Sequence, residues 1–152
     1  MPTVIEDFDR AFPTDPGWPA PPRPTEESLA GVIEALGLPG LPTLFVRLAR
    51  QAEHFGVWFG GLGPDYDDRR NTVRINTRWR EEGLPSSLFL MTYGFDSICD
   101  CLDLTSSDDP DTMRVVQVEV GLGDLESRVD FAPTFEAYLE RIIEIFSRRE
   151  GA

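Results

Sequence analysis

From residue 25 onward, apolar positions recur with periods that separate helix from strand. Leu29, Val32, Ile33 and Leu36 stand at i, i+3, i+4 and i+7 and predict an amphipathic helix. Thr25 is placed as its N-cap, Glu26 and Glu27 suit the positive end of the helix dipole, and Gly37 is placed to end it. After the turn Leu38-Pro39-Gly40 a second helix is predicted, with Pro42 near its first position. Leu44, Phe45, Leu48, Ala52 and Phe55 face inward along it, and Gly56 is its stop. Val57-Trp58-Phe59 reads as a short strand before a bend at Gly60, Gly61 and Gly63. Residues 71–82 carry two periods at once. Val73, Ile75, Thr77 and Trp79 alternate like a strand, while Ile75 and Trp79 also suit a helix, so a short strand running into a helical turn that ends at Gly83 is expected.

The second half reads more simply. A strand is predicted over 88–92, a turn at Tyr93-Gly94, and a second strand over 96–104. A polar turn follows over 105–111. A third strand spans 113–120, with Val116, Val118 and Val120 on one face, closed by Gly121 and Gly123. Thr134 then caps a helix whose Phe135, Tyr138, Leu139, Ile142, Ile143 and Phe146 share one face. The order indicates an α+β fold: a mainly antiparallel central sheet, with N-terminal helices and a C-terminal amphipathic helix packed on one face of it.

Residues 1–24 break this pattern. Seven of the chain's thirteen prolines fall there, and proline neither donates to a helix or sheet nor leaves its predecessor free. Yet Ile5, Phe8, Phe12 and Trp18 are too apolar for a plain linker. A Pro-rich N-terminal arm over 1–24 is expected, extended after at most one helical turn and docking its aromatic residues on a single domain at 25–150.

Composition narrows the chemistry. At 152 residues the chain is one domain long. All fourteen basic residues are Arg and His54 is the only histidine, so a phosphate-binding P-loop lysine, a Schiff-base lysine and a two-histidine zinc motif are excluded. The net charge of −13 opposes nucleic acid and anionic membrane surfaces and favours encounter with a basic partner. Cys99 and Cys101 point to one face of their strand about 7 Å apart; they read as reduced, buried half-apolar side chains in a cytoplasmic protein. No cofactor and no metal site is expected.

Three segments together resemble a known family. Leu38-Pro39-Gly40-Leu41-Pro42 resembles the Leu-Pro opening of the second helix in the SMI1/KNR4 (SUKH) domain. Leu84-Pro85, the strand Leu88-Phe89-Leu90-Met91 and then Cys101-Leu102-Asp103-Leu104 look like that family's central hairpin. Phe135-Glu136-Ala137-Tyr138-Leu139 is similar to the Ser-Phe-Glu-Glu-Phe-Leu signature of its last helix, with Thr134 in place of the Ser. The turn Tyr93-Gly94-Phe95-Asp96 departs from the family's Gly-Asp-Gly run. The resemblance covers residues 26–146. It implies a non-enzymatic protein: in bacteria an immunity protein that binds and neutralises a cognate toxin, in fungi a regulatory interaction scaffold. In this family the Leu-Asp at 102–103 organises a turn.

The charge pattern suggests where such a partner would sit. Between Arg80 and Arg114 the chain holds Glu81, Glu82, Asp96, Asp100, Asp103, Asp108, Asp109 and Asp111 and no base. One reading is a solvated face with turn-forming aspartates; the other is an acidic surface that meets the basic cleft of a toxin such as a nuclease. Tyrosines beside acids are candidate anchors. The expected partner-binding residues are Asp65, Tyr66, Asp67, Asp68, Tyr93, Asp96, Asp100, Asp108 and Asp109, on a monomer or weak dimer whose partner is a basic protein toxin, with neither nucleic acid nor membrane. Enzymatic alternatives fit poorly. Asp96 and Asp100 would lie about 13 Å apart on one strand face, more than an acid–base pair across one bond needs. Asp108 and Asp111 lack calcium-loop spacing, and a dyad of His54 with Cys99 or Cys101 would need the fold to join distant segments.

Overall fold

The computed structural model describes residues 3–13, 23–63, 71–92, 98–119 and 128–150. Its elements are α1 (Val4–Ala11), α2 (Glu26–Leu36), α3 (Thr43–Gln51), α4 (Phe55–Trp58), α5 (Thr72–Glu81), β1 (Leu88–Leu90), β2 (Ile98–Asp103), a 3-10 turn (Pro110–Thr112), β3 (Val115–Glu119), β4 (Arg128–Ala132) and α6 (Phe135–Glu150). The strands form one antiparallel sheet in the order β1-β2-β3-β4, with α6 packed against it, an α+β fold.

The helix ends follow local chemistry where the cap is local. Thr25 accepts from the Ser28 amide, and Gly37 closes α2 at φ 63°, a left-handed conformation that glycine adopts without a Cβ clash. Thr134 accepts from the Ala137 amide at the start of α6. Two other helices are capped from far away. Pro42 offers α3 no side-chain acceptor, and Asp111 supplies one, taking the Thr43 amide at 2.6 Å and the Thr43 hydroxyl at 3.0 Å. Asp9 of α1 accepts from the Glu53 and His54 amides that lead into α4.

The Asp9 cap explains one departure from expectation, and local caps explain two others. The segment 55–58 is helical rather than a strand, and Gly56 lies within that turn instead of ending α3, which stops at Gln51. Of residues 57–59 only Phe59 pairs like a strand residue, in an isolated bridge to Thr92. Residues 72–81 form a full helix because Asn71 accepts from the Val73 and Arg74 amides, and the i, i+4 pair Ile75 and Trp79 then faces the sheet. Residues 4–11 are helical too, closed at the front by a capping box between Thr3 and Glu6, not an extended arm. A strand at Arg128–Ala132, which the sequence pattern did not mark, completes the sheet.

The sheet is apolar on both faces. Phe89, Met91, Leu102 and Val115 join α1, α2, α3, α4 and α6 in the larger cluster. There the wholly buried ring of Phe45 meets Phe59 at 5.5 Å and Phe135 at 5.3 Å, and Phe8 of α1 stacks on Phe59 at 5.7 Å. Such pairs contribute about 0.5–1.5 kcal/mol each beyond their buried area. The alternate residues Leu88, Leu90, Cys99, Cys101, Val116 and Val118 face the other way, where Ile75, Trp79 and Leu84 pack on them. Helices therefore lie on both sides of the sheet rather than on one. Cys99 and Cys101 are free, buried thiols on this second face.

The outer edge of β1 is closed by a side chain. Asn76, fully buried on α5, accepts from the Leu90 amide at 2.8 Å and donates to the Leu90 carbonyl at 3.0 Å and the Thr72 carbonyl at 2.9 Å. One carboxamide thus stands in for a neighbouring strand. Asn76→Ala is expected to strand a buried donor and acceptor, lowering stability by on the order of 2–5 kcal/mol; a denaturant midpoint unchanged from the parent would contradict this role.

Candidate functional site

The proposed partner residues divide into those outside the described residues and those that the fold distributes. Asp65, Tyr66, Asp67, Asp68, Tyr93 and Asp96 lie outside the described residues, as do Trp18, Phe95 and Val120. Tyr93 and Asp96 belong to the connection between Thr92 and Ile98, at one end of β2. Asp108 and Asp109 follow the other end of β2, beyond Asp103. The described acids therefore do not gather into one patch with that connection.

Asp108 and Asp109 are exposed, and Asp109 also caps the 3-10 turn by accepting from the Asp111 amide. Glu81 and Glu82 are exposed at the C-terminal end of α5. Leu104 donates to the Ser87 carbonyl, which brings the chain after α5 to the same end of the sheet as the 104–114 segment. Glu81 and Glu82 thus precede the Leu88 end of β1, which pairs with Asp103, and Asp108 and Asp109 follow Asp103. Asp111, spent as the cap of α3, is structural.

Asp100 is not a surface residue. It is 5% exposed, because β2 alternates and Asp100 shares the inward face of Leu102. The Tyr138 hydroxyl donates to its Oδ2 at 2.6 Å and the Gln117 amide donates to its Oδ1 at 3.0 Å. The Trp58 indole in turn donates to the Tyr138 oxygen at 2.8 Å. One buried network therefore fastens α4 and α6 to β2 and β3. Burial pushes the Asp100 carboxyl above its ordinary value, with the Tyr138 and Gln117 hydrogen bonds pulling the other way. Burial likewise raises the Tyr138 hydroxyl, helped by the Asp100 charge.

Asp103 is buried on the opposite face and is balanced by cations. Arg128 of β4 bonds its Oδ2, and Arg114 lies 3.7 Å from the same oxygen. Its Oδ1 accepts from the amide and hydroxyl of Thr105, so it organises the turn after β2. An open groove of about 470 Å3 lies beside Arg114, Asp130 and Pro133. Its arginine is engaged by Asp103 and, at 3.3 Å, by Asp130.

Neither buried cysteine is set up as a nucleophile. Burial, followed by the Asp100 charge, pushes the Cys99 thiol up to about 12, and burial also raises Cys101. Neutral thiols are poor nucleophiles. His54 precedes Phe55, which packs in the cluster on the other face of the sheet from both cysteines, so the dyad is not assembled. Among the described residues no group of three His, Cys, Asp or Glu side chains is placed to hold a metal ion, and no helix is long and apolar enough to cross a membrane.

Sequence reasoning placed Tyr138 in the core stripe of α6 but missed its hydroxyl's task, and it missed Gln117 and Arg128 altogether. The signal for Asp100 was present: an acid two residues before an inward Leu102 on a strand must face inward as well. Compared with known proteins, the chain matches no family model and shows no detectable similarity to a curated protein.

The raised pKa of Asp100 fixes the sign of a pH effect. Its folded-state value lies above the unfolded one, so its stabilising contribution is complete below the ordinary Asp range and is lost as pH rises through the folded value. In Asp100→Asn the oxygen can still accept from Tyr138, and a flipped Gln117 amide can accept from the new NH2. The stability of Asp100→Asn relative to the parent is therefore expected to increase from acid to neutral pH, as read by denaturant unfolding at a series of pH values. A constant difference across that range would refute a burial-raised carboxyl.

Proposed function

We propose that the protein is a non-enzymatic immunity protein of the SMI1/KNR4 type, a cytoplasmic antidote that binds a basic bacterial toxin and blocks it. The observation that carries this reading is where the charge ends up. Of the described acids only Asp100 and Asp103 are buried, so the other described acids put their charge at or near the surface of a chain whose net charge is −13. Several arginines are meanwhile turned to internal work. Arg114 and Arg128 hold Asp103, Arg80 donates to the Leu36 and Ser86 carbonyls, and Arg141 donates to the Phe131 carbonyl. A surface of this sign steers a basic protein toward it and repels polyanions.

The order of part of the chain supports the same reading, with the amphipathic helices α2 and α3 ahead of the antiparallel hairpin carrying Cys101-Leu102-Asp103, and the amphipathic helix that opens on Phe135 after it. A regulatory scaffold that recruits through its N-terminal arm is less well supported. Ile5, Phe8 and Phe12 are buried in the core, so residues 4–12 are part of the domain rather than a free lure.

The exposed acids at the 103 end of the sheet are proposed as the steering surface. The purified protein is expected to abolish the activity of the toxin encoded beside it at equimolar ratio, with an association rate that falls as salt rises. Replacing Glu81, Glu82, Asp108 and Asp109 together by their amides is expected to slow association by on the order of 10-fold at low salt. Continued toxin activity in the presence of folded protein would reject the antidote role. An unchanged rate in the fourfold variant would reject this surface alone.

A further inference from the structure

We draw no further inference here: the strongest candidate, the open groove along β4 beside Arg114, Asp130 and Pro133, has its arginine already engaged by Asp130 and Asp103 within the chain, and nothing in the structure shows what covers it.

Discussion

A sheet that is apolar on both faces cannot stand with helices on one side, and the rest of this structure depends on that constraint. Leu88, Leu90, Cys99, Cys101, Val116 and Val118 would otherwise be left to water. Helix α5 covers them through Ile75 and Trp79, and the same helix brings Asn76 to the outer edge of β1. Fixing α5 there leaves α1, α2, α3, α4 and α6 to fill the opposite side, where the phenylalanine cluster forms. One short helix thereby sets both the layering of the domain and the closure of one sheet border.

Much of this was legible in the sequence where an apolar stripe and a local cap agree. Helices α2 and α6 announce themselves by stripe and cap together, Thr25 and Gly37 for one and Thr134 for the other. Strands β1, β2 and β3 follow from alternation between turn residues. The failures differ in cause, and α1 was missed although its capping box of Thr3 and Glu6 is local. Helix α4 depends on Asp9, which lies far away in the chain, and no window around Phe55 contains that acceptor. At α5 the two periods of 71–82 were evenly matched, and the side-chain cap of Asn71 together with the uncovered sheet face tipped the balance. Strand β4 alternates poorly because a register irregularity opposite Val115 and Val116 breaks its period near Phe131.

The acidic interval shows how far charge counting reaches. Counting located the acids but not their roles. Asp100 closes a hydrogen-bonded network in the core, Asp103 is held by two arginines, Asp111 caps a helix, and only the remainder is available to a partner. Buried acids are costly unless donors are supplied, which is why Trp58, Tyr138, Gln117, Arg114 and Arg128 are arranged around two of them. Tyr138 and Gln117 were invisible as donors because α6 and β3 meet β2 only in the folded chain.

The contact between the first helix and the last has a consequence for synthesis. Phe12 rests on Phe146 with ring centres 4.7 Å apart, and Phe12 and Phe146 both also touch Trp58. A ribosome delivers α1 long before α6, so the early helix waits with its aromatic face uncovered while the sheet is laid down. The hydrophobic seam can shut only when residue 146 has cleared the exit tunnel. Until then Phe12 and Trp58 lack the ring that completes their contact.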